Sequence, residues 1–304
     1  MVIALAAVAR RPPPAYPGAS PQGSSPVSAL AALLPDLGRR TLVMGILNVT
    51  PDSFSDGGRF QDLDAARAQA ARLVEEGAAL LDIGGESTRP GHTPVPAEEE
   101  QARVLPAIRL LGPALPVPIS IDTYKASTAD AALKAGARIV NDVWGLQRDP
   151  EIAVVAAHHG APVMVMHNRE TVDPSLDIVD EMRAFFERSL TIARRAGIPD
   201  RDIVLDPGIG FGKSWEQHLE ALRRLPELRA LGFPLLVGVS RKSVLGRIHN
   251  AATAPADRLF GSIAAHVAAA VLGADIVRAH DVRPHVEACQ VVDAITRPAA
   301  RTGA

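Results

Sequence analysis

Cysteine, net charge and long apolar runs are what this sequence has least of. Cys289 is the sole cysteine among 304 residues, so no disulfide can close within the chain, no multi-cysteine metal cluster can form, and a reducing, cytoplasmic setting is expected. Lys and Arg number 32 against 34 Asp and Glu, a formal charge of −2, which leaves no broad basic field for a nucleic acid to bind. The apolar stretches are interrupted well before the roughly 18 uncharged residues of a membrane helix, so no membrane partner is expected either. The apolar start, Met1 to Ala9, is followed rather than preceded by Arg10 and Arg11, the wrong order for a secretory signal. A content of 47% apolar and 22% charged residues argues for packed globular structure over disorder.

Residues 10–26 crowd Pro12, Pro13, Pro14, Pro17, Pro21 and Pro26 among Gly and Ser. Such a segment buries too little apolar surface to offset chain entropy, so residues 1–30 are set apart as a flexible, disordered Pro-rich N-terminal extension. Residues 31–300 are expected to form one domain. From Leu42 onward a short apolar run, a polar or Gly-rich turn and a longer amphipathic segment recur. The pattern predicts strands at Leu42–Leu47, Ala79–Ile83, Val117–Ile121, Arg138–Val143, Pro162–Met166, Ile203–Leu205, Leu235–Val239 and Asp275–Arg278. Helices are predicted at Leu63–Glu76, Ala97–Leu111, Ser127–Ala135, Glu151–His159, Ser175–Ala196, Trp215–Leu231, Asp257–Leu272 and Pro284–Ile295. Eight strand–helix units with strands too continuously apolar for a wet face imply an α/β protein, a (β/α)8 TIM barrel. An open doubly wound sheet is the alternative.

The polar residues favour the barrel, because nearly every apolar run ends in one: Asn48, Asp82, Asp122, Asn141, His167, Asp206, Ser240 and His280. Any one of them alone fits a helix cap or a turn as well. A closed barrel would gather the whole set into one pocket. Asp82, Asp122 and Asp206 directly follow apolar residues, and a buried carboxylate is costly unless donors meet it, which points to a ligand rich in N–H groups.

The loops add detail. Asn48 opens the long polar segment 48–58, and its neutral oxygen suits Mg²⁺ shared with phosphate and water; an Asn holding the turn fits equally. Gly84 to Gly91 combines hydroxyls with Arg89, suited to closing on an anion or to a plain surface loop. Asp206 to Ser214 fails as a phosphate loop because Pro207 stands where the first glycine is required, so it is read as a turn bringing backbone close to a flat ligand, with Phe211 nearby. Ser240-Arg-Lys-Ser243 follows the seventh strand, and Arg278 and His280 point the same way at the eighth, the usual phosphate position of this barrel. Together these features describe a barrel enzyme for a planar, N–H-rich, phosphorylated small molecule. His158, His159, His218, His249, His266 and His285 read as structural or solvent-facing, and Cys289 as a small core residue.

The run Met44 to Gly58, with Asp82 to Gly91, Ser120 to Lys125, Asn141 to Val143, Met166-His167, Asp206 to Lys213, Gly238 to Ser243 and Arg278 to Val282, resembles the dihydropteroate synthases, folate-pathway enzymes targeted by sulfonamides. The resemblance implies transfer of the 7,8-dihydropterin-6-ylmethyl group from its diphosphate to 4-aminobenzoate, forming 7,8-dihydropteroate, with diphosphate released and Mg²⁺ required. Position by position, it implies that Asp122, Asn141, Asp206 and Lys242 hold the pterin between Met166 and Phe211. It further implies Mg²⁺ on Asn48, diphosphate on Arg278 and His280, substrate-binding Thr88 and Arg89 on a second mobile loop, and the aminobenzoate carboxylate at the backbone N–H of Ser243. Asp122, Lys242, Arg278 and His280 are then the catalytic set, the mechanism is dissociative, and a homodimer through the last helices is expected. Competing readings are a pterin-dependent methyltransferase, which needs no diphosphate site, a class I aldolase using Lys242, and a pterin-binding paralogue without turnover.

Overall fold

The computed structural model describes residues 28–49, 59–86, 93–248 and 254–297, the side chains of 59–62 aside. Eight strands run parallel: β1 Leu42–Asn48, β2 Leu80–Gly84, β3 Ile119–Asp122, β4 Ile139–Asp142, β5 Val163–Met166, β6 Ile203–Asp206, β7 Leu236–Val237 and β8 Ile276–Ala279. Their order is β6-β5-β4-β3-β2-β1-β8-β7, and a single parallel bridge, Leu205 to Leu235, joins the two ends. The TIM barrel expected from the strand count is therefore the architecture, closed almost completely.

Helices alternate with the strands: α1 Ala29–Leu33, α2 Arg59–Glu75, α3 Ala97–Leu111, α4 Ala126–Ala135, α5 Glu151–His159, α6 Ile178–Ala196, α7 Trp215–Arg223, α8 Leu225–Arg229, α9 Ser243–Ile248, α10 Leu259–Val271 and α11 Val282–Thr296. The single helix expected over Trp215–Leu231 is split at Arg224, because Pro226 cannot continue the hydrogen-bond ladder and instead sits in the first turn of α8. The helix expected from Asp257 is preceded by a 3₁₀ turn, Pro255–Arg258, with Pro255 in its first turn, and becomes α-helical at Leu259.

Alternation along the strands produces two separate cores. Outward residues such as Leu81, Ile121, Val140, Val165, Leu205 and Val277 pack under the helices in one large cluster. Inward residues form a second, smaller cluster at the N-terminal end of the barrel: Leu42, Met44, Leu80, Ile139, Met164, Val204, Leu236 and Ile276. Leu30 and Leu34 belong to that cluster, so α1 plugs this end. Asp202, just ahead of β6, accepts from Leu30 N (2.9 Å) and Ser28 Oγ (2.6 Å), and Ser28 caps α1 in turn. Residues 28–30 thus belong to the packed body, ahead of the expected boundary at residue 30. The proline-rich residues 10–26 lie outside the described residues.

Candidate active site

One pleat step above the apolar inner layer, the same strand faces turn polar. Leu80 is followed inward by Asp82, Ile139 by Asn141, Val204 by Asp206 and Ile276 by Arg278, each two residues on. Parallel register sets Asp82 beside Ser120 and Asp122 beside Asn141, and β8 lies next to β1 to complete the ring. Gly238, at the end of β7, has no side chain, which leaves space for Arg278 and for Lys242 Nζ, 3.8 Å from where its Cβ would stand.

Arg278 is the hub. Its Nε donates to Asp82 Oδ2 at 2.6 Å and its Nη2 to Asp122 Oδ2 at 2.8 Å. Asp82, wholly buried, also accepts from Ser120 Oγ (2.6 Å) and Asn141 Nδ2 (3.0 Å). Asp122 Oδ1 is different: it is buried and has no hydrogen-bond partner among the described residues. Burial, reinforced by the neighbouring Asp82 charge and opposed by Arg278, pushes the Asp122 carboxyl up to about 7.

The second half of the pocket comes from the loops after β6 and β7. Asp206 Oδ1 accepts from Gly208 N (2.7 Å), and its pKa is raised by burial against the pull of Lys242. Lys242 Nζ donates to Ile209 O and lies 4.6 Å from the centroid of the Phe211 ring, and burial draws its ammonium down to about 8. Met166 packs against the Gly208 turn. His280 meets Ser240 Oγ through both its main-chain N–H (3.1 Å) and Nδ1 (3.0 Å).

Asp122, Asn141, Asp206, Lys242 and Arg278 therefore share one chamber, with Met166 and Phe211 beside it. Asn48 ends β1, half-buried, and Ser243 opens α9. Thr88 and Arg89 lie outside the described residues. His167, read from its strand-end place as a pocket residue, is not one: it continues the outward phase of Val165, and its Nε2 bonds Glu181 on α6 while its ring abuts Phe185. Burial lowers its pKa to about 4. Asp82 carries more of the site than its sequence position suggests, since it orients both Asn141 and Arg278. Lys213 was also missed; its buried Nζ donates to the carbonyls of Gly208 (3.0 Å) and Phe211 (3.1 Å), fastening the turn that carries Phe211. Among the lone histidines, His218 Nδ1 accepts from Gly210 N (3.2 Å) and His266 Nε2 from Val239 N (3.0 Å), both structural bonds.

A family model described as pterin binding enzyme matches residues 44–280, spanning every strand but the first two residues of β1. The chain is 49% identical over 268 residues to the dihydropteroate synthase of Synechocystis sp., covering 86% of this chain and 92% of that one. The chain belongs to the dihydropteroate synthase family. Membership makes it a transferase of folate biosynthesis. Solved structures agree in fold: the dihydropteroate synthase of Clostridium difficile in the presence of pteroic acid has a TM-score of 0.83 at 50% identity, covering 86% of this chain and 99% of that one. The Xanthomonas albilineans dihydropteroate synthase with 4-aminobenzoic acid has a TM-score of 0.80 at 46% identity, covering 84% and 93%. Among the described residues no helix is long and apolar enough to cross a membrane.

Proposed function

We propose that the chamber at the C-terminal barrel mouth joins (7,8-dihydropterin-6-yl)methyl diphosphate to 4-aminobenzoate, forming 7,8-dihydropteroate and diphosphate. Asp122 carries this reading: one carboxylate oxygen is pinned by Arg278 while the other is buried without a partner. A buried acceptor left open is costly until a donor arrives. Ring amino and amide N–H groups supply such donors to Asp122 Oδ1, to Asp206 and to Asn141 Oδ1, whose amide nitrogen is already engaged with Asp82. Lys242 donates to a ring oxygen or nitrogen, and Met166 and Phe211 cover the ring faces.

Arg278 keeps Nη1 and one Nη2 hydrogen beyond its two carboxylate bonds, and with His280 these hold the diphosphate. The methylene C–O bond breaks first, its electron pair leaving on the diphosphate oxygen. The cation is spread over the pterin and steadied by the Asp122 carboxylate. An arylamine lone pair is delocalised into its ring, so it attacks readily only once the carbon is ionised; the new C–N bond forms and the amine loses a proton to solvent. Thr88, Arg89 and Ser243 are assigned to the aminobenzoate side.

Asn48 fits Mg²⁺, because its side chain is in no hydrogen bond to the described residues and Mg²⁺ commonly takes one or two protein oxygens with phosphates and water. Among the described residues no group of three or more His, Cys, Asp or Glu offers a full protein cage. When bound, Mg²⁺ supplies charge neutralisation on the departing diphosphate. The same reading makes the protein cytoplasmic and homodimeric, supported by the exposed Phe260, Val291 and Ile295 on α10 and α11.

A coupled diphosphate-release assay tests the proposal. Multiple-turnover release is expected only with both substrates and Mg²⁺ present; pterin binding with no release on adding 4-aminobenzoate would reduce the protein to a silent binder.

A further inference from the structure

Arg241 stands between two pocket residues, Ser240 and Lys242, and it is one of two non-glycine residues with positive φ among those described (58°). A side chain in the left-handed region is unfavourable and persists only where the surroundings impose it. Here every group of the residue is held. Its N–H donates to Ser262 Oγ (2.9 Å) and its carbonyl accepts from Arg258 Nη1 (2.9 Å), both on the α10 side. Its guanidinium grips Asp281 with two bonds, Nε to Oδ2 at 2.9 Å and Nη2 to Oδ1 at 2.5 Å.

Asp281 makes the arrangement informative. It occupies the N-cap position of α11, where an Asp ordinarily accepts from the first-turn N–H groups, yet its side chain makes no capping bond. The carboxylate is turned to Arg241 instead, at the expense of the helix it begins. The brace ties the β7 loop to the β8 loop, and between those two loops lies the Ser240–His280 contact.

That contact favours one placement of a proton. Ser240 Oγ accepts the main-chain N–H of His280, and the acceptor within reach of its own hydrogen among the described residues is His280 Nδ1. A neutral imidazole that accepts at Nδ1 carries its hydrogen on Nε2. We propose that Arg241 is a positioning residue: held in a left-handed turn and bracing Asp281, it keeps Ser240 against His280 and presets His280 as the Nε2–H tautomer, a donor for the anionic oxygens of the substrate. The inference deepens the reading of the diphosphate site given above and rests on it for the identity of the anion.

The test is long-range ¹H–¹⁵N NMR of the full chain labelled with [¹⁵N]histidine, with His280→Gln used to assign the His280 signals, beside calorimetric titration with inorganic diphosphate. The wild-type protein should show the Nε2–H pattern near neutral pH without any ligand. Arg241→Gly tolerates the left-handed backbone but lacks the guanidinium, and it should give a mixed tautomer pattern and bind diphosphate about 10–100-fold more weakly, the usual effect of losing an orienting partner. Asp281→Asn should do the same and serves if Arg241→Gly does not fold. A wild-type spectrum with the hydrogen on Nδ1, or an unchanged tautomer in a folded variant whatever its affinity, overturns the proposal. The tautomer is read with no substrate present, so absence of turnover would sink the proposed reaction while leaving this result standing.

Discussion

Asp122 is the residue at which stability and activity pull apart. Its carboxyl is raised to about 7, first by burial and then by Asp82, so the charged form the reaction requires dominates only above that pH. The sign follows: kcat/KM should climb as pH rises through about 7 and flatten above it. Asp122→Asn should remove that limb from the pH–rate profile and lower kcat/KM by about 10²–10³, the loss typical of one preorganised electrostatic group. A variant with wild-type turnover would assign the cation-stabilising role elsewhere. Asp82 shows why one acid is not interchangeable with the other, since both of its oxygens are already occupied by Ser120, Asn141 and Arg278 and it orients these groups without offering an open acceptor.

The element that positions most with least is the turn after β6. Gly208, Gly210 and Gly212 all have positive φ, and a Cβ on Gly208 would lie 2.0 Å from His167 O. Neither the torsion nor the space admits a side chain. Gly208→Ala is therefore expected to destabilise the fold by at least about 1–3 kcal/mol in urea titration and to abolish measurable pterin binding. Legibility at this scale was uneven. The strand and helix alternation of Leu42 to Ile295 was readable because period-2 and helical patterns are local, and so was the glycine-rich turn. The split at Pro226 was readable in principle from the proline itself, whereas the outward turn of His167 required knowing the phase of β5, which an unbroken apolar run such as Pro162 to Met166 does not reveal.

Across the whole molecule the barrel separates stability from chemistry along its axis, with α1 and the apolar inner layer at one end and the charged layer at the other. Leu30 is fully buried in that apolar layer, so Leu30→Ala should cost about 2–5 kcal/mol of stability and leave KM for both substrates unchanged. Denaturation curves and steady-state kinetics on the same preparation check both halves. At the outer wall, Phe260 is 84% exposed and Ile295 74%, more than a lone surface hydrophobe requires. Phe260→Glu combined with Ile295→Glu should convert the proposed dimer to a monomer in sedimentation analysis while leaving the barrel folded; an unaltered dimer would place the interface elsewhere.

The amino-acid sequence by itself determined the number of strand–helix units, the polar residue at each strand end and the motifs that announce the family, because these depend on neighbours a few positions apart. Only tertiary structure decided which of those polar residues share a chamber. Arg278 and Asp82 are separated by 196 positions and bond because β8 closes onto β1, beside β2. Arg241 and Asp281 meet because consecutive loops of the barrel rim face each other across β7 and β8. A charge finds its partner through the closure of the sheet, and that closure is a property of all eight strands at once.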